Sequence, residues 1–128
     1  MNHAKIKSAL AALMCRDNED AFLILMEKHT GKFLQFSGSA RQPLILDLPA
    51  QALDHDQAQK AESYFQELGI RAVEYEMFDA PGGKVVGRQR SFQKSLGRDV
   101  EAAARIAENV FEYVYEFPAN FELVMEEN

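Results

Sequence analysis

The sequence predicts an α+β domain: a five-stranded, mostly antiparallel sheet with helices packed on it. Two observations point there. Apolar residues recur at spacings of three and four in three separated stretches, which is the period of an amphipathic helix. Between them lie five short runs rich in Val, Ile, Leu, Phe and Tyr, joined mostly by tight turns that contain Gly, Pro or Asp. The order is α-β-β-β-α-β-β-α, and 128 residues make one domain with room for a real core.

Residues 3 to 15 give the first helix, with Ile6, Leu10, Leu13 and Met14 on one face and Lys5 and Lys7 away from it. A polar break, Arg16 to Asp20, precedes AFLILMEK at 21 to 28, apolar enough for a central strand. His29-Thr30-Gly31 turns the chain into KFLQFSGS at 32 to 39. Ala40 to Pro43 turns it again into LILDLP at 44 to 49, where Leu44, Leu46 and Leu48 share a face. These three strands form an antiparallel meander. The second helix covers about 55 to 68. Asp54 and Gln57 make a capping-box pattern, Ala58, Ala61, Tyr64, Phe65 and Leu68 the buried stripe, and Gly69 the stop, with Ile70 closing over it.

Strand four, RAVEYEMF at 71 to 78, alternates Val73, Tyr75 and Met77 with Glu74 and Glu76. The turn Asp79 to Lys84 leads to the polar fifth strand, Val85 to about Lys94, whose charge suits an edge or a solvent-facing strand. The last helix, Asp99 to Phe117, carries the clearest period: Val100, Ala103, Ile106, Ala107, Val110, Phe111, Val114 and Phe117. Asp99 is its N-cap and Pro118 its end. The tail through Phe121, Leu123 and Met125 is read either as a short extra strand or as fraying.

Hydrophobic content of 47% excludes a disordered tail protein, and no apolar run approaches a membrane span. The apolar segment Ser8 to Cys15 is too short to read as a signal peptide. The single cysteine cannot form an internal disulfide, which fits a reducing cytoplasm. Cys15 follows Met14 at the end of an apolar face, so it is expected to be buried. Net charge is −6, which does not favour nucleic acid, because phosphate contact needs clustered Lys and Arg. Such a chain suits a basic partner.

No GxGxxG, P-loop, HExxH, CxxC or GxSxG is present, and Gly82-Gly83 is explained by a hairpin. His3, His29 and His55 are scattered, and neighbours in Asp54-His55-Asp56 diverge on a starting helix, so no metal or cofactor is expected. The distinctive feature is a charge split. Lys84, Arg88, Arg90, Lys94 and Arg98 come with no acid among them; from Asp99 onward Arg105 is the single base. Arg88 and Arg90 can pair across the sheet with Glu74 and Glu76. Alternatively, Lys84, Arg88, Arg90 and Lys94 form a docking strip for another protein chain. Glu101, Glu108 and Glu112 form an acidic stripe on the last helix, a solvated face that could meet the strip in a homodimer.

Element order, size and acidity together resemble the type III secretion chaperone-like fold group, which includes the class I secretion chaperones. The resemblance covers almost the whole chain, carries no specific motif, and so implies a fold and a partner-binding role without assigning residues. The functional expectation is a non-enzymatic protein-binding module, chaperone-like or adaptor- or inhibitor-like. The alternative is a small enzyme or ligand-binding domain using His29, His55 or Cys15 in a pocket between sheet and helices.

Overall fold

The computed structural model describes residues 2–78 and 80–127; Met1, Asp79 and Asn128 lie outside that description, as do the side chains of Tyr75, Met77 and Val86. Helix α1 (His3–Leu13) buries Ile6, Ala9, Leu10 and Leu13, and Met14 just beyond it. Cys15 is exposed, against expectation. The helix ends at Leu13, so the chain has turned off the apolar face by the time Cys15 is reached. Arg98 reaches this end from the far side of the sequence. Its guanidinium donates to the Met14 carbonyl at 3.1 Å and to the Ser39 carbonyl at 3.3 Å. A cation is favoured there because the last carbonyls of a helix lack amide partners.

Strands β1 (Phe22–Glu27), β2 (Phe33–Ser37) and β3 (Ile45–Pro49) form the expected antiparallel meander. Gly31 turns β1 into β2 at φ 74°, a left-handed value that suits glycine. Glu27, 5% exposed, closes the same turn: its Oε1 accepts the amides of His29 at 3.0 Å and Thr30 at 2.7 Å. Burial opposes the charge of this carboxylate, but bonds from Thr30 and His29 outweigh it and hold the group below its ordinary range.

Helix α2 (His55–Glu67) starts at the capping box, with Asp54 Oδ1 accepting from Gln57 N at 2.8 Å and Gln57 Oε1 accepting from Asp54 N at 3.0 Å. It stops as the sequence indicates. Gly69 takes φ 72° and Ile70 N donates to Phe65 O at 2.8 Å, which brings two buried apolar side chains together. Leu68, placed in the buried stripe by its spacing, is 40% exposed at the helix end.

Strands β4 (Ala72–Phe78) and β5 (Val85–Ser95) make the hairpin. Here the expectation of an edge or solvent-facing strand fails in part, although Arg88, Arg90 and Lys94 are exposed. β5 pairs with β3 as well as with β4, so it lies inside the sheet and β4 is the edge. Pairing with β3 covers Ser91–Ser95 alone, and the stretch from Val85 to Arg90 pairs only with β4, so Arg88 and Arg90 stand on the part of β5 that is flanked on one side. Val73, read as part of an apolar face, is 44% exposed, and Tyr75 and Met77 fall among the undescribed side chains.

Helix α3 (Val100–Asn109) is capped by Asp99, whose Oδ1 accepts from Ala102 N at 3.0 Å. The regular helix expected to reach Phe117 widens into a π-helical turn over Val110–Val114, with Tyr115 N donating to Val110 O at 3.0 Å. Glu116 then adopts φ 61°, and the chain reverses. The wider turn gathers Phe111, Tyr115, Phe117 and Phe121 into one aromatic group, with the Phe111 and Phe121 centroids 4.7 Å apart. That group fixes the tail. Asn2 Nδ2 donates to Phe121 O at 2.8 Å, and β6 (Leu123–Glu127) pairs antiparallel with β1. The sheet therefore has six strands, in the order β4-β5-β3-β2-β1-β6.

Left-handed backbone costs a side-chain-bearing residue about 1–2 kcal/mol. Glu116 offsets part of this by pairing with Lys60, an exposed contact worth at most about 1 kcal/mol. Glu116→Gly should raise the free energy of unfolding by about 0.5–1 kcal/mol. A higher urea midpoint at unchanged slope would show it, and a lower midpoint would mean that the Lys60 contact dominates.

Directly paired residues on neighbouring strands point to the same side of a sheet. Leu23, Leu25, Leu34, Phe36, Leu46, Leu48 and Phe92 share one side and are all buried. They form a single core with Ala61 and Phe65 of α2, with Leu10 and Leu13 of α1, and with Ala103, Ala107, Val110 and Phe111. The three helices thus cover one face of the sheet. Among the described residues no helix is long and apolar enough to cross a membrane.

Candidate partner-binding surface

The charged hairpin is matched within itself. Register sets Glu74 opposite Arg90 and Glu76 opposite Arg88, with N···O separations of 3.6 and 3.9 Å. All four side chains are about half exposed or more, so each pair contributes only a few tenths of a kcal/mol to about 1 kcal/mol. Lys84 is exposed at the start of the strand. Lys94, also exposed, lies opposite Leu46 on the helix side. The arginines of the strip therefore already face carboxylates on β4, on the half of β5 that β3 does not reach.

The acidic stripe is likewise engaged, and by α1. The His3 ring sits between two carboxylates, Nδ1 2.9 Å from Glu108 Oε2 and Nε2 3.1 Å from Glu101 Oε1. Lys7 Nζ is 2.8 Å from the other oxygen of Glu101, and Arg105 approaches to 3.6 Å. The hydrogen bond from Lys7, with its charge and that of His3, holds the Glu101 carboxyl below its ordinary range against a smaller effect of burial. Two of the three acids thus fasten α1 to α3, while Glu112 is exposed on the next turn. Strip and stripe each find partners within the chain.

The residues considered for chemistry stand on three separate elements. Cys15 follows α1, His29 is in the β1–β2 turn and His55 opens α2, all of them exposed. Among the described residues no group of three His, Cys, Asp or Glu side chains could hold a metal ion. A groove of about 400 Å³ runs between the end of α2 and the hairpin, floored by Ile70 and Phe92. Its ionisable groups are Glu62, Arg71 and Arg90, the last engaged by Glu74.

The feature that stands out is the side of the sheet away from the helices. Alternation and register place Phe22, Ile24 and Met26 of β1, Phe33 of β2, Ile45 of β3, Val73 of β4 and Val124 of β6 there. The β1 residues and Phe33 are half-buried, and Ile45, Val73 and Val124 are exposed. Gln35, Asp47 and Gln93 lie in a row across β2, β3 and β5, with Gln35 Nε2 donating to Asp47 Oδ2 at 3.1 Å. Ser91 and Pro49, paired at one end of this side, are buried. An antiparallel sheet with one wet face normally alternates apolar and polar residues. β1 is apolar on both sides, and its second apolar set has no counterpart among the helices.

These open-face residues were not singled out from the sequence, although a signal was present. A run such as AFLILMEK supplies more apolar side chains than one core face can use. No protein-family model matches the chain, and no curated protein or solved structure matches it.

Proposed function

We propose that the chain is a non-enzymatic protein-binding module, chaperone-like or adaptor- or inhibitor-like, acting in the cytoplasm. The uncovered apolar side of the sheet carries this reading. A face of this kind costs solubility unless something docks on it, and contiguous exposed apolar surface marks interaction sites. The resemblance of the expected element order to the secretion chaperone-like group makes a polypeptide the first class of partner to seek. The basic strip of Lys84, Arg88, Arg90 and Lys94 and the acidic stripe of Glu101, Glu108 and Glu112 are secondary to this face. Their charges are largely matched within the chain, and a contact with a second copy would have to displace those pairs.

The test is to purify the tagged chain at native level from its source, identify stoichiometric companions and rebuild the complex from purified parts by titration calorimetry. The expected result is a saturable complex of fixed stoichiometry with one protein. A chain that stays monomeric and alone, yet turns over or saturably binds a small molecule, would overturn the reading.

A further inference from the structure

We infer that the helix-free side of the sheet receives a basic amphipathic helix from another protein, lying across strands β5, β3, β2, β1 and β6. This deepens the protein-binding reading above and rests on it.

The kind of segment follows from what the face offers. Within the sheet, backbone donors and acceptors are spent on neighbouring strands, so the face presents side chains and no free ladder. An added strand needs such a ladder, whereas a helix satisfies its own backbone and needs only an apolar stripe to meet. Size agrees. Six strands about 4.8 Å apart and five residues long give a face of about 24 by 17 Å, or about 400 Å² in projection. That is about half of the 800 Å² per partner typical of a stable complex between folded proteins. It matches a helix of about twelve residues, about 18 Å long.

The sign of the charge follows from the same residues. Among those described on this side, the charged ones are Asp47 and Glu126, and neither Lys nor Arg occurs. Asp47 stands on β3, near the middle of the sheet. Its Oδ2 is held by Gln35, but its buried Oδ1 has no hydrogen-bond partner among the described residues. A lysine or arginine beside the apolar stripe of an incoming helix supplies a donor to this carboxylate once it rotates. A second copy brings the same two acids and a net charge of −6, which works against self-pairing on this face.

The test uses two fluorescein-labelled 18-residue helical peptides, one of Leu and Lys and one of Leu and Glu with the same apolar stripe, titrated by anisotropy against the full chain. The Leu/Lys peptide should bind at least about tenfold more tightly than the Leu/Glu peptide. The double variant Ile45→Lys/Val124→Lys, changed at two exposed positions, should weaken the Leu/Lys peptide by about tenfold or more. The control Gln59→Lys/Gln66→Lys adds the same charge on the exposed side of α2 and should change affinity by less than about twofold. If circular dichroism shows the first variant misfolded, Ile45→Ser/Val124→Ser replaces it with the same expectation. Equal binding of both peptides, equal weakening by face and control variants, or an unaffected face variant would overturn the inference. So would a wild-type dimer in sedimentation that Ile45→Lys dissolves, since the face would then belong to a second copy. A stoichiometric natural partner that binds the face variant as tightly as wild type would end this inference and leave the protein-binding reading standing.

Discussion

Phe111→Ala is expected to lower the free energy of unfolding by about 3–5 kcal/mol, the range for removing a fully buried aromatic ring. Phe111 has no exposed surface, and its ring contacts Tyr115, Phe117 and Phe121 at centroid distances of 5.7, 6.4 and 4.7 Å. The loss should not be spread evenly. Phe121 sits just before β6 and leans on Phe111, so the variant should release the last strand ahead of the rest. Hydrogen exchange would show this as faster exchange at Leu123–Glu127 with little change at Phe33–Ser37. Phe117, half-buried in the same group, should cost less when truncated. Uniform loss of protection after Phe111→Ala would mean that the aromatic group supports the whole core rather than the tail.

Stability should fall as pH rises above about 10, and Tyr115→Phe should flatten that fall. The Tyr115 side chain is buried, and its hydroxyl donates to the Phe33 carbonyl of β2 at 2.6 Å. Burial pushes its pKa well above the usual phenol value, and the bond to Phe33 opposes this only in part. Below about pH 10 the phenol is neutral in both folded and unfolded chains and the linkage contributes nothing. Above it the unfolded chain loses the proton while the folded chain keeps it, so stability drops by up to about 1.4 kcal/mol per pH unit until the folded-state value is reached. Tyr64 is raised more weakly, by burial first and by Glu67, against its bond with Asn109, and Tyr64→Phe should remove a smaller part of the slope. At neutral pH Tyr115→Phe should cost about 1 kcal/mol for the lost hydrogen bond. Urea titrations from pH 8 to 11 would check both statements; parallel curves for wild type and Tyr115→Phe would refute the linkage.

What could be read from the sequence is what local chemistry decides. Asp54 with Gln57, and Gly69 with Ile70, mark both ends of α2 because a cap involves neighbours in the chain. The leucines at 44, 46 and 48 share a buried face because strand periodicity is local as well. Pairing of β5 with β3 is not local. Charged side chains on β5 suit an edge, and Arg88 and Arg90 do lie where β4 is the one paired strand, but Ser91–Ser95 continue the same strand alongside β3. The tail was read as an extra strand or as fraying, of which the structure shows the strand, and the π turn escaped for a related reason. Phe111, Phe117 and Phe121 read as helix stripe plus tail, and only their packing with one another and with Tyr115 accompanies the widening at Val110 and the return of the chain. Of the candidate surface, the charges of strip and stripe were visible, and so was the cross-strand pairing of Arg88 and Arg90. The apolar side of the sheet was hidden because its residues come from strands that become neighbours only after folding.

The place of β6 has a consequence for how the molecule is made. Leu23 pairs with Glu127 across almost the entire chain, whereas the meander closes through short turns. Contacts of such separation form late, because the chain between them must be ordered first. During synthesis from the N-terminus, β1 can pair with β2 at once but waits for β6 to cover its other side. Until then its backbone is an open edge beside the apolar residues Ile24 and Met26. The nascent protein is therefore most prone to join a neighbouring chain in the interval before β6 arrives.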